Sequence, residues 1–134
     1  MIKHNNGLFR GIRVDNGEWV YGHISRLQNN VIISCENGRY RRDKVHRETI
    51  GKSIGLKDSN GKIIYEGDII RIYLRDKNLT LVAVMESIIL DYGFNIVLKF
   101  KNANGSEINY YKDYATVAGN RYDNPELLKM RILE

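Results

Sequence analysis

The sequence predicts a mainly β protein, and three features point that way. Apolar residues recur with period two rather than at helical spacing. Clusters of Asn, Asp and Gly interrupt the apolar runs at short intervals, as the turns of antiparallel sheets require. Only one stretch, near residue 124, carries a helix start signal. A single proline in 134 residues argues against a Pro-rich linker.

The elements follow in order. Asp15-Asn16-Gly17 is a hairpin turn, because Asn-Gly tolerates the positive φ that tight turns need. Trp19 to Ile24 then reads as a strand, with Gly22 a bulge or a point of close backbone approach. Gln28-Asn29-Asn30 turns into the strand Val31 to Cys35, whose Val31, Ile33 and Cys35 share a face. Glu36-Asn37-Gly38 turns again into a basic segment. Residues 8–47 thus form an antiparallel meander of three or four strands.

Residues 51–61, punctuated by Gly51, Gly55 and Gly61, form a turn-rich joint between a lobe at 1–50 and another at 62–134 within one domain. Asp58-Ser59-Asn60-Gly61 sits between Ile54/Leu56 and Ile63/Ile64, which is a hairpin signal. Tyr65-Glu66-Gly67-Asp68 launches Ile69 to Leu74, with Ile70, Ile72 and Leu74 on one face and Arg71 and Tyr73 on the other. Thr80 to Ser87 alternates as a strand. In Phe94 to Phe100, Phe94, Ile96, Leu98 and Phe100 line one face, and burying them contributes roughly 6–10 kcal/mol before chain entropy. Asn102-Ala103-Asn104-Gly105 turns into Glu107 to Tyr111, and Tyr114 to Ala118 is the last strand. A Gly-Asp turn followed by an alternating strand suggests a small SH3-like barrel for the second lobe. A short C-terminal helix is expected from Asn124 as N-cap, with Pro125 and Glu126 in its first turn. Its packing pairs are Leu127/Met130 and Leu128/Ile132.

With 43% hydrophobic and 28% charged residues, the chain has the composition of a globular protein. One cysteine, Cys35, allows no intramolecular disulfide, and Met1 to Asn6 has no apolar leader core. These features point to a reducing compartment, the cytoplasm. No run of residues is long and apolar enough for a membrane helix, so no membrane association is expected. The net charge is +5. Segment 39–47 holds five Lys/Arg against one Asp, a net of +4, which leaves +1 for the rest. So concentrated a patch suits a polyanion.

Three stretches carry a family resemblance. Residues 8–22 read Leu-Phe-Arg-Gly-Ile-Arg-Val-Asp-Asn-Gly-Glu-Trp-Val-Tyr-Gly. Residues 49–70 include Gly-Leu-Lys-Asp-Ser-Asn-Gly-Lys-Ile-Ile-Tyr-Glu-Gly-Asp. Residues 117–128 read Val-Ala-Gly-Asn-Arg-Tyr-Asp-Asn-Pro-Glu-Leu-Leu. In order and spacing the chain resembles the YopX protein family of bacteriophages and prophages over almost its whole length. The resemblance implies a β-rich fold and a phage or prophage origin in a bacterial host cell; it implies no reaction. Lys52 and Ser53 stand where similar sequences often carry Gln and an aromatic residue, and Arg121 where they are often apolar. The shared glycines and Asn-Gly pairs are turn requirements, and the shared Ile, Leu and Tyr are core positions.

Few constellations suggest chemistry. Cys35 shares a strand face with Val31 and Ile33, as a small buried hydrophobe does. His4, His23 and His46 lack metal-ligand spacing, so no metal and no cofactor are expected. Asp58-Ser59-Asn60-Gly61 fails the calcium-loop pattern at Lys62 and Ile63. Glu66 and Asp68 are the best carboxylate pair, and a polar turn explains them better than hydrolysis. Two readings of the basic segment remain open. It is a ribbon that binds nucleic acid through Arg39, Arg41, Arg42, Lys44 and Arg47, with Tyr40 stacking on a base. Or it is an edge strand protected by its charges. As a strand it would place Arg39, Arg41 and Arg47 on one face and Arg42, Lys44 and His46 on the other, leaving neither face fully buried. The function expected is a non-enzymatic phage accessory protein, a binding or assembly module. It would act as a homo-oligomer or with a host or phage protein. The alternative is a nucleic-acid-binding protein using segment 39–47.

Overall fold

A computed structural model describes residues 8–35, 41–91 and 96–129. The turn read at Glu36-Asn37-Gly38, the first residues of the basic segment (Arg39 and Tyr40), Phe94, Met130 and Ile132 lie outside the described residues. The remainder is mainly β. The strands are β1 (Phe9–Ile12), β2 (Trp19–Leu27), β3 (Asn30–Cys35), β4 (Arg41–Val45), β5 (Gly51–Lys57), β6 (Ile63–Tyr65), β7 (Asp68–Leu74), β8 (Leu79–Asp91), β9 (Ile96–Lys101), β10 (Glu107–Tyr111) and β11 (Ala115–Asn120). They form a six-stranded sheet of order β4-β3-β2-β1-β5-β6 and a five-stranded sheet of order β10-β9-β8-β7-β11. Neither sheet is closed, and the SH3-like detail expected for the second lobe goes beyond what these open sheets show.

Two compact units divide the chain, Met1–Gly55 and Leu56–Glu134. The segment 51–61, expected to be turn-rich, is instead strand as far as Lys57. Gly51 and Lys52 pair with Arg10 and Phe9 of β1, which gives that stretch its extended form.

In the first unit, the Asp15-Asn16-Gly17 turn joins β1 to β2. Gly17 has φ +76°, and Arg13 N–H donates to the Glu18 carbonyl at 2.8 Å. The core gathers Val31, Ile33 and Val45, with Phe9, Val20, Ile24 and Ile50 packed against it. Gly22 is the close approach expected from the sequence: a Cβ there would overlap the Ser34 carbonyl oxygen of β3.

In the second unit, Asp68, Ile69, Ile70 and Ile72 of β7 are buried. Ile70 lies opposite Ala83, and Ile72 opposite Leu81. The 13-residue β8 shifts register against β9 between Met85 and Ser87 and again between Ile88 and Leu90. Leu98 and Phe100 of β9 are fully buried, while Val97 and Lys99 are half-buried. At the far end lies the expected short helix, Pro125–Lys129, in 3-10 rather than α form. The cause is local. Asn124, expected to cap forward, turns its side chain back to accept the Asn120 N–H at 3.2 Å, and Leu127 N–H donates to the Asn124 carbonyl at 3.1 Å, three residues back.

Candidate functional site

Strand β4 carries the described part of the basic segment and lies at the edge of its sheet. It pairs with β3 in the register Ile33↔Asp43, Ile32↔Lys44 and Val31↔Val45. The alternation sends Asp43 and Val45 inward, where both are buried. Arg42 and Lys44 point outward and are exposed. One face of the strand is thus buried over this stretch, contrary to the expectation that neither would be. An acid and a valine occupy the inward positions 43 and 45. The side chain of Arg41 lies outside the description. Arg47 is not on the strand at all: it starts a 3-10 turn, Arg47–Thr49, that follows His46. The arginine's Nη2 donates to the Asn29 carbonyl at 3.4 Å.

That turn is fixed from behind by Thr49. Its buried Oγ1 donates to the His46 carbonyl at 2.7 Å and accepts the Ile12 N–H at 2.9 Å. The C-terminal half of the β4 edge is also covered. Val14 N–H donates to the Lys44 carbonyl at 3.0 Å, and His46 N–H to the Ile12 carbonyl at 2.9 Å. Backbone pairing there does part of the edge protection assigned to charge. Beside it opens a shallow groove of about 260 Å³, lined by Lys44, His46, Arg47 and Glu48 together with Asn29 and Asn30. Arg13 ties the region together. Its guanidinium binds Asp15 through Nε at 3.0 Å and Nη2 at 2.7 Å, and its Nε lies 3.5 Å from Asp43. The hydrogen bond from Arg13 holds the Asp15 carboxyl below its ordinary range. Whatever stability this pair contributes is therefore fully present above that ordinary range and lost as the pH falls from there through the lowered folded-state value.

The sequence reading missed a second cluster, in the other unit. Tyr110 accepts a hydrogen bond from the Arg75 backbone N–H at 3.1 Å, and Tyr114 accepts one from Arg75 Nη1 at 2.9 Å. The Tyr110 ring lies 5.5 Å from that of Tyr111 and 5.9 Å from that of Tyr114. The available signal was the spacing of Tyr110, Tyr111 and Tyr114 around a 3-10 turn. Arg75 carries no local sign of its 35- to 39-residue link to them.

Among the described residues no group of three or more His, Cys, Asp or Glu could hold a metal ion, and no helix is long and apolar enough to cross a membrane.

A family model described as YopX protein matches residues 8–129. The chain belongs to the YopX family. No curated protein matches it. The structure shows what the family-like stretches do here. Asp58 is buried, and its carboxylate accepts three backbone N–H groups: Asn60 at 2.9 Å, Lys62 at 2.8 Å and Val117 of β11 at 2.8 Å. Asp68, also buried, accepts the Tyr65 N–H at 2.8 Å. Gly67, at φ +90°, donates to the Met85 carbonyl and accepts from the Arg121 N–H. Asn120 accepts from Tyr122 and Asp123 N–H. Two of the three departures from the pattern are accommodated locally. Ser53 is buried and accepts the Gly55 N–H at 3.0 Å; Arg121 is exposed and lies 5.2 Å over the Tyr122 ring.

Proposed function

We propose that this YopX-family chain is a non-enzymatic binding or assembly module of phage or prophage origin, acting in the bacterial cytoplasm. One observation carries the reading: the polar side chains of the family-like stretches face backbone N–H groups. Asp58, Asp68, Asn120 and Asn124 each accept from the main chain. A carboxylate held this way fixes a turn and keeps its lone pairs from a substrate. Of the Glu66–Asp68 pair, the aspartate is committed to Tyr65 N–H inside the fold. The assembly half of the proposal is motivated by strands at sheet edges, β10 among them. Light scattering at micromolar concentration is expected to return a mass above the 15.6 kDa of one chain. A monomer across that range would remove self-association from the proposal.

A second reading, nucleic-acid binding through β4, is favoured by the outward Arg42 and Lys44 beside a groove lined by His46 and Arg47. If the segment's cations neutralise about four phosphates, log affinity falls with log salt at a slope near −3.6, about a 100-fold loss between 50 and 200 mM. Replacing both Arg42 and Lys44 by Ala is expected to make that slope shallower by about 2 and to leave stability nearly unchanged. Salt-titrated fluorescence anisotropy on labelled duplex DNA measures both. If wild type shows no binding at 50 mM salt, β4 is not a nucleic-acid interface.

A further inference from the structure

The surface of the second unit holds an arginine whose surroundings are phenols rather than carboxylates. Arg75 is exposed, and among the described residues no acid pairs with it. Its guanidinium lies 5.8 Å over the Tyr114 ring and donates to that residue's hydroxyl. Its backbone N–H donates to Tyr110. Both phenol oxygens are therefore acceptors toward Arg75, so their own O–H protons are left to donate elsewhere. The remaining guanidinium N–H groups do the same. The result is a small array of donors around a fixed positive charge, which suits an oxyanion.

The rings add a second recognition element. Tyr111 meets Tyr110 edge to face at 5.5 Å and is 47% exposed, so it presents ring surface next to the Tyr110 ring. Tyr73, 41% exposed, stands on β7 just before Arg75, with its hydroxyl on Asn78 at 2.9 Å. Along 71–77, Arg71, Arg75 and Lys77 oppose Asp76 alone, a net of +2. An oxyanion donor array beside exposed rings matches a phosphate that carries a base. An acidic peptide would use the charge and leave the rings without a partner.

We propose that the Arg75–Tyr110–Tyr111–Tyr114 cluster is a contact site for single-stranded nucleic acid. A phosphate sits at the Arg75 guanidinium and the Tyr110 and Tyr114 hydroxyls, and a base stacks on Tyr111. The site lies in a different unit from β4 and does not rest on the basic-segment reading.

The test uses the full chain and a fluorescein-labelled oligothymidylate of about 12 nucleotides, long enough for a site of this class. Wild type is expected to bind with strong salt dependence. Arg75→Ala and Tyr111→Leu are each expected to weaken binding about tenfold or more, the scale of losing one phosphate or one stacked base. Arg75→Ala keeps the backbone N–H that binds Tyr110, and Tyr111 is exposed, so both variants should fold; circular dichroism and thermal melting verify that. In the background of the Arg42 and Lys44 double replacement, which removes any contribution of β4, Arg75→Ala and Tyr111→Leu should weaken binding by the same factor. An abasic strand of equal length should bind more weakly than the thymidylate, and a poly-glutamate peptide of equal charge should fail to displace it. The proposal is overturned by absent wild-type binding, by folded Arg75 and Tyr111 variants that bind as wild type, or by loss only in the β4 variant. Equal affinity for the abasic strand, or displacement by the peptide, overturns it as well.

Discussion

Leu98→Asp is expected to abolish soluble expression, while Val97→Thr, one residue away, leaves a folded protein. Leu98 is fully buried on β9, with Ile88 of β8 and Tyr110 of β10 as its cross-strand neighbours. A carboxylate at that position has no partner, and its burial costs several kcal/mol out of a total of about 5–15. The change also removes the leucine's own burial, about 2 kcal/mol. Val97 points to the opposite face and is half-buried opposite Tyr111. Threonine keeps its β-branched shape, and the hydroxyl can reach water, so the expected cost is about 1 kcal/mol or less. Soluble yield and urea denaturation distinguish the two. Equal stability would mean that the faces of β9 are assigned the wrong way round.

Asp58→Ala is the second large effect. One buried carboxylate gathers three N–H donors, two within its own turn and one from Val117, 59 residues later. Asn60 and Lys62 are exposed, so water can replace the carboxylate at their N–H groups; Val117 is half-buried and regains less. An expected loss of about 2–4 kcal/mol follows, because orphaned donors cost about 1–3 kcal/mol each where water is excluded. Asp58→Asn separates the two roles. Its carbonyl oxygen can still serve the turn, but its amide then faces the Val117 N–H, donor against donor. The asparagine variant is expected to fall between wild type and alanine in urea midpoint. A midpoint equal to wild type would show that the Val117 bond contributes nothing.

Sequence and structure agree where a feature is local and part where it is not. Asp15-Asn16-Gly17, Asn102 to Gly105 and the alternation of Ile70, Ile72, Leu98 and Phe100 were legible because turn chemistry and period two act within a few residues. The Asn102 side chain, for instance, accepts from both Asn104 and Ser106 N–H, all inside one turn. Ile32, Ile69 and Val84 are buried on faces where alternation predicts exposure. That burial comes from neighbours the period cannot reveal. At the candidate site, the charge of segment 39–47 was legible, but the inward turn of Asp43 was not. Arg47 and the Arg75 cluster were misplaced or missed for a related reason. A 3-10 turn takes the first off the strand, and the second is assembled from residues more than 30 positions apart.

The position of β11 has a consequence for synthesis. β7 is an interior strand of its sheet rather than an edge only because β11, made last among the described strands, pairs along its outer side from Ala115↔Ile72 to Asn120↔Asp68. A growing chain can form the successive hairpins β7 to β10 as each strand leaves the ribosome. Until β11 follows, Ile69, Ile70 and Ile72 stand on a bare strand edge, and Asp58 lacks the Val117 N–H. A released polypeptide truncated near residue 112 therefore exposes an aliphatic strand edge that other chains can join, so premature termination there favours aggregation.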